Sequence, residues 1–428
     1  MKILFLTNST MHTLGGFQTL LVRMSDYFCR HGHEVVVLTQ GIDGRVRSEF
    51  SNEVTIISTN LPFEVFLFRS KFVEQSKLWD LSNVDLIYCI DRISLLVATM
   101  LRLEVVGGDV KVVAGIYQPD YVKYLRASSI SGYVARWNMR GSYSSGCVIA
   151  MSRKLLGEWG KQFPSHEAHF IPLPVDIEGF DAPAQKPLAM TILSVGRFED
   201  FKTYNLYMPS VLKRLRSLGV DARWVVYGEG YYQEQIIAAT DAAGMAEFVE
   251  MRGYLPYEQF ADALSEAYVF VGMGTAIVEA AAAGVPTILA HPYDLDGLTE
   301  GPIYRYEFGE VGSFIEDQIP SMTVCDELFR LSHISEREYL EECESNKVAV
   351  RGYSLNHVMD EYLEAFVAAP LSPTPPRFTF WARCLILRLS QQCEYYVVRQ
   401  VKRFIKGLLS HFDYGRAYLN TRKITKFK

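Results

Sequence analysis

Two cations five positions apart, Arg197 and Lys202 in LSVGRFEDFK, follow directly on an apolar, β-rich run. At the carboxyl end of a strand such a pair suits phosphate chemistry, because both charges can converge on one group and neutralise a diphosphate as it leaves. Two solvated loop charges would fit the same spacing, so the pair takes its meaning from what surrounds it. The surroundings are rich in glycine. VVYGEG sets Gly228 and Gly230 after another strand, and FVGMGTAIVEAAAAGVP sets Gly272 and Gly274 before Thr275 and a helix bearing Glu279. Such glycines let backbone N–H groups approach a phosphate, and a carboxylate in the first turns of the helix can accept both hydroxyls of a ribose. Gly15-Gly16 stands between the first strand and the first helix, where it reads equally as an anion site or a tight turn. Asp91, after LIYCI, either faces a substrate from a strand's carboxyl end or caps the helix that follows.

Other chemistries lose their support. The dinucleotide pattern G-x-G-x-x-G is absent after the first strand, and the second strand ends in Thr39-Gln40 with no acid. His166-Glu167-x-His169 lacks the spacing of a helical zinc site, and Asp294-Leu295-Asp296 reads as a surface loop, so no metal is implied. Seven cysteines without a C-x-x-C give neither a disulfide framework nor a thiolate site, and a reducing, cytoplasmic compartment fits them.

The elements that must position these residues form a repeating α/β pattern. KILFLTNS, then Leu20, Leu21, Met24 and Phe28 at helical spacing, then EVVVLT make a β-α-β unit. Buried strands follow near 84–90, 110–116 and 147–151. After PLPVDIEGFDAPAQKP the pattern restarts with MTILSVG, a helix over 204–218, ARWVVYG, a helix near 232–243, FVEMRG, AYVFVGM and VPTILA. The expected fold class is therefore α/β, with two doubly wound Rossmann-like domains facing a cleft across the carboxyl ends of their strands. The expected divisions are 1–177, 178–352, a helix at 353–369 returning to the first domain, and a Pro-rich linker with a basic tail at 370–428.

The chain has 428 residues, 49% apolar and 21% charged, which is ordinary globular composition with material for two or three domains. A net charge of −6 argues against a nucleic-acid partner. From Leu371 to Lys428 twelve Lys and Arg face only Glu394 and Asp413, a net of +10, which leaves −16 for the rest. Along the tail Ile386, Leu389, Cys393, Val397, Val401, Phe404 and Leu408 keep helical steps, with Arg388, Gln392, Arg399, Arg403 and Lys406 opposite. A basic amphipathic helix of this kind suits an anionic membrane surface, and equally a helix docked on the acidic body.

In order along residues 1 to 369, the glycine pair, G-H-E-V-x-V-L-T, V-G-R-(x)4-K, G-x-G and E-A-x-A-x-G-V-P resemble the retaining nucleotide-sugar glycosyltransferases of GT-B fold, of the large family-4 type. The resemblance implies that Arg197 and Lys202 bind the donor diphosphate, that Glu279 binds the nucleotide ribose, and that Gly16 faces the phosphates. It implies a nucleoside-diphosphate sugar as substrate and no further cofactor. Three features depart from the family. Val271 stands where a second glutamate is usual, so backbone N–H groups near Gly272 to Thr275 would have to meet the donor sugar. GIYQPDY, with Tyr117, Gln118 and Asp120, replaces a common histidine segment on the acceptor side, and IPLPVD replaces I-P-N-G-V-D.

These readings together give a metal-independent transferase moving a sugar to an acceptor hydroxyl with retention. The acceptor would be a glycan or a lipid-linked glycan of the kind assembled for bacterial surface polysaccharides, met at the inner leaflet by a peripherally attached protein. A nucleotide-sugar epimerase of the same fold would need cleft carboxylates that Val271 does not supply. A catalytically silent glycan-binding or partner protein is the alternative from a different class.

Overall fold

The run Ile3–Leu6 has no polar residue to turn toward water, and it forms the centre of a strand buried on both faces. In this computed structural model, which describes residues 1–12, 16–117, 147–164, 167–178, 185–309, 322–371 and 374–389, that strand is β1 (Lys2–Met11). Helix α1 (Gly16–Arg30) follows and packs Leu20, Leu21, Met24 and Phe28 inward. The sheet is completed by β2 (Glu34–Ile42), β3 (Thr55–Ser58), β4 (Leu86–Cys89), β5 (Lys111–Ile116), β6 (Val148–Ala150) and β7 (His169–Phe170). All neighbours are parallel in the order β3-β2-β1-β4-β5-β6-β7, so the winding reverses between β1 and β4. Between these strands lie α2 (Gly44–Ser48), α3 (Arg69–Ser76), α4 (Arg92–Glu104) and α5 (Arg153–Gln162).

The second half repeats the plan. Strands β8 (Met190–Val195), β9 (Ala222–Tyr227), β10 (Val249–Gly253), β11 (Val269–Gly272) and β12 (Thr287–Leu289) form a parallel sheet in the order β10-β9-β8-β11-β12. Here the reversal falls between β8 and β11. The helices are α6 (Tyr204–Ser217), α7 (Gln233–Ala243), α8 (Phe260–Ser265), α9 (Thr275–Ala282), α10 (Val324–His333) and α11 (Glu336–Val350), with a small antiparallel pair of β13 (Leu298–Thr299) and β14 (Met322–Thr323). Each half has its own apolar core.

Helix α12 (Leu355–Ala368) places Val358, Met359, Tyr362 and Phe366 in the core of the first half. Tyr27 donates to Asp360 at 2.6 Å, and the rings of Phe28 and Phe366 stack at 5.6 Å. Two chain crossings therefore join the halves. They run side by side, with the N–H of Val175 donating to the carbonyl of Tyr353 at 2.8 Å.

The tail begins as part of the first domain. Residues 377–389 form helix α13, whose Phe380, Cys384 and Leu387 complete that domain's core. Trp381 Nε1 donates to Glu104 at 2.9 Å, Arg377 pairs with the same carboxylate at 3.3 Å, and Thr374 accepts from Arg102 at 2.9 Å. The linker is thus fastened to the body it was expected only to tether. On the other side of α13, Phe378, Leu385, Ile386 and Leu389 are exposed. The stripe beyond Leu389 lies outside the described residues. Among the described residues no helix is long and apolar enough to cross a membrane, and the apolar window 267–290 is β11, α9 and β12.

Candidate functional site

In doubly wound sheets ligands meet the protein where the strand order reverses. In the second half that point lies between the ends of β8 and β11, and the sequence candidates converge on it. The loop after β8 carries Arg197 and Lys202 and is anchored by Phe198, which is buried. Arg197 stays half-exposed, with its guanidinium 3.0 Å from Glu199. Lys202 folds back over the loop, so that a Cβ on Gly196 would lie 2.3 Å from its Nζ. Burial, and then Arg197 beside it, bring the Lys202 ammonium down to about 8, with Glu199 offsetting part of the shift.

Gly228 and Gly230 serve this loop from behind. The chain after β9 crosses it with the N–H of Gly196 donating to Tyr227 at 3.0 Å and that of Phe198 donating to Glu229 at 2.9 Å. A Cβ on Gly228 would stand 2.1 Å from the carbonyl oxygen of Gly196, and one on Gly230 would stand 2.4 Å from that of Phe198. Only glycine permits the crossing. The expectation that these glycines offer N–H groups to phosphate is corrected for Gly228, whose N–H donates to the carbonyl of Gly253 at 2.7 Å.

After β11 the arrangement differs. Val271 is buried in the strand, so its side chain is a core contact and brings no polar group to the cleft. Gly272 packs against the Phe270 ring. Gly274 takes a left-handed φ of 72° as the N-cap of α9, and no side chain caps this helix, which opens at Thr275. The first backbone N–H groups of such a helix lack intrahelical partners and favour an anion. One turn later Glu279 is buried.

Glu279 is not alone. Arg23, from α1 of the opposite domain, forms an ion pair with its Oε1, and the hydroxyl of Tyr257 donates to the same oxygen at 3.1 Å. Arg23 also donates to the Tyr257 hydroxyl at 3.0 Å and lies 5.3 Å from the ring centroid. Burial works against the Arg23 charge, yet Glu279 and Tyr257 outweigh it and hold the guanidinium above its ordinary value. For Glu279 burial dominates and holds the carboxyl above the usual range, with Arg23 and Tyr257 offsetting part. Sequence reading singled out neither Arg23 nor Tyr257, whose partner lies far along the chain.

On the first domain Gly16 opens α1, and a Cβ there would meet nothing within 4 Å, so space alone does not demand glycine. Gly15 lies outside the described residues. Asp91 is a structural residue: it caps α4 by accepting from the N–H of Ser94 at 2.9 Å and its hydroxyl at 2.6 Å, and it braces β1 by accepting from the N–H of Asn8 at 2.6 Å. Those three donors take up the carboxylate proposed to face an acceptor. Tyr117 is likewise engaged, its hydroxyl bound to those of Tyr88 and, at 3.1 Å, Tyr362. Gln118 and Asp120 lie outside the described residues. Asp294 shapes its own loop by accepting from the N–H groups of Asp296 and Leu298 at 3.2 and 2.8 Å. Among the described residues no group of three His, Cys, Asp or Glu is placed to hold a metal ion. The six described cysteines are free thiols.

Comparison with known proteins agrees with this geometry. The family model described as Glycosyltransferase Family 4 matches residues 14–178, and that described as Glycosyl transferases group 1 matches residues 181–295. No curated protein sequence matches the chain. Among solved structures, sucrose-phosphate synthase from Thermosynechococcus elongatus is similar at 16% identity with a TM-score of 0.64, covering 86% of this chain and 100% of its own. HepE from Anabaena, in complex with UDP-glucose, is similar at 15% identity with a TM-score of 0.60, covering 86% and 99%. A glycosyltransferase from Rickettsia africae ESF-5 gives 15% and 0.59, covering 85% and 97%. With one family model on each half, and with the two-sheet architecture shared across these structures, the chain belongs to the glycosyltransferases of GT-B fold.

Proposed function

We propose that the protein transfers a sugar from a nucleoside-diphosphate donor to an acceptor hydroxyl with retained anomeric configuration. The observation that carries this is the convergence of Arg197, Lys202, the uncapped N-terminus of α9 and Glu279 on one strand-order reversal. The bond between the anomeric carbon and the diphosphate oxygen breaks, and the departing oxygen takes negative charge. Arg197 and Lys202 neutralise it, which is the largest electrostatic demand of the reaction. The acceptor oxygen bonds to the anomeric carbon on the same face, and its proton passes to the leaving phosphate oxygen. Positioning and exclusion of water between the two domains supply the rest, with no metal called on. HepE, which binds UDP-glucose, supports a nucleotide sugar as the donor class.

A glycan or lipid-linked acceptor would be met from the first domain, at the cytoplasmic face of an anionic membrane. Support comes from α13, whose outward face is apolar at Phe378, Leu385 and Leu389 and which leads into a chain end with nine Lys and Arg after position 389. A similar fold occurs in WaaB, a lipopolysaccharide outer core galactosyltransferase. The silent-partner reading draws on Val271, which leaves the donor sugar without a carboxylate at that point, and on GIYQPDY standing in place of the histidine segment. Incubating the full chain with UDP-, GDP- and ADP-sugars and measuring released nucleotide tests the proposal. Turnover with one donor class supports it, and nucleotide binding without release from any sugar, with or without lipid-linked acceptors, would leave the silent partner.

A further inference from the structure

The carboxylate of Glu279 belongs to the donor domain but is held by the other one. Arg23 reaches it from α1, and the same guanidinium lies 3.4 Å from the carbonyl of Pro174 in the crossing segment. Tyr257 joins both. Both contacts to the Glu279 carboxylate, from Arg23 and from Tyr257, fall on Oε1, while no described residue donates to Oε2, and the Glu279 side chain keeps 6% exposure. A buried ion pair contributes little net stability, so burial of this one across two separately cored domains calls for another role.

We propose that Arg23 and Tyr257 are positioning residues for the donor ribose: they hold the Glu279 carboxylate ionised and oriented through Oε1, leaving Oε2 to accept a ribose hydroxyl. The inference rests on the reading of Glu279 as the ribose acceptor. It adds that the nucleoside pocket is complete only when the first domain has closed on the second, because Arg23 comes from the first. An ionised carboxylate accepts two ribose hydroxyls, whereas a protonated one must give an acceptor position to its own proton.

The surroundings single out Arg23 as the group that keeps Glu279 charged. Burial and the nearby Asp176 push the carboxyl up, and Arg23 and Tyr257 pull it down. From α11, packed against α9, the inward titratable groups are Tyr339 and Cys343, and burial keeps both neutral, Cys343 up to about 12. Tyr304, whose hydroxyl donates to Glu342 at 2.9 Å, and Arg305 are exposed on the turn beside α9, and β11 and β12 carry no titratable side chain.

The test is a titration of the full chain with whichever of UDP, GDP and ADP binds most tightly, and with its 2′-deoxy counterpart, from pH 5.5 to 7.5. For Arg23→Gln, affinity at pH 6 should fall at least tenfold below the wild type and recover by up to tenfold per unit as the pH rises. The preference for ribose over deoxyribose should collapse and return in the same window. Arg23→Lys should restore most of the affinity, and Tyr257→Phe should give a smaller loss of the same pH sign. Wild-type titrations in Arg23→Gln at every pH, or a loss independent of pH that Arg23→Lys does not rescue, would overturn the inference. Glu279→Gln separates the two layers. If it leaves ribose preference intact, the ribose reading itself fails, whereas a loss in Glu279→Gln beside a silent Arg23→Gln removes only the positioning role.

Discussion

Raising the pH through 8 should weaken the binding of nucleoside diphosphate by a calculable amount. Burial and the neighbouring Arg197 bring Lys202 down from 10.5 to about 8. At pH 7 roughly nine in ten molecules carry the ammonium, and at pH 9 roughly one in ten. If the diphosphate engages only the charged form, Kd rises about fivefold between pH 8 and pH 9 and about ninefold again by pH 10. Calorimetric titration from pH 6.5 to 9.5 measures this, and buffers of different ionisation enthalpy report proton uptake on binding above pH 8. Lys202→Arg should show no such fall, since a guanidinium keeps its proton throughout. Stability carries the opposite sign. Between pH 8 and 10.5 the unfolded chain binds more protons than the folded one at this site, so stability rises with pH there, and at pH 7 the folded state bears the full cost of the buried ammonium. Lys202→Met should therefore be more stable than the wild type by about 1–3 kcal/mol at pH 7, with the difference closing by pH 10.5. A wild-type Kd flat from pH 7 to 9.5, with no proton uptake, would refute the reasoning.

Arg197→Ala should lower kcat/KM by about 100-fold or more without a change in Tm, as checked by steady-state kinetics and thermal melts, because its half-exposed side chain supports no core contact. Gly228→Ala should destabilise by about 2–4 kcal/mol and misplace Arg197 and Lys202 together, since its methyl would collide with the Gly196 carbonyl; chemical denaturation and activity should fall in parallel. A chain ending at Pro370 should lose about 3–5 kcal/mol because Phe380, Cys384 and Leu387 leave the core. A chain ending at Ser390 should melt like the full protein but no longer sediment with anionic liposomes, and unchanged sedimentation would refute a membrane anchor in the residues beyond Ser390.

The strands were legible because both faces of each central strand are buried, so Ile3–Leu6 appears as an unbroken apolar run and Met190–Val195 as a run interrupted only by Thr191 and Ser194, which are themselves buried. Short edge strands such as Thr55–Ser58 lack that signal, since much of their surface stays outside the core. At the site, Arg197, Lys202 and Glu279 could be found because they sit at fixed offsets from strand ends and glycines. Arg23 could not. On an amphipathic helix a lone arginine reads as part of the solvated face, and only the folded chain brings it to Glu279. The roles of Gly228 and Gly230 were hidden for a related reason, because a glycine that admits a crossing backbone has the same sequence signature as one that cradles phosphate. Asp91 and Tyr117 show the converse: a polar residue at a strand's carboxyl end is also a good cap or joint, and neighbours such as Ser94 and Tyr362 decide which.

The central claim is that Arg197 and Lys202 bind the diphosphate that leaves. It is tested most directly by titrating the wild type and the Arg197→Ala/Lys202→Ala double variant with nucleoside mono- and diphosphates of the preferred base. The wild type should bind the diphosphate at least tenfold more tightly than the monophosphate, and the double variant should bind the two about equally. A double variant that keeps the wild type's preference for the diphosphate would contradict the claim.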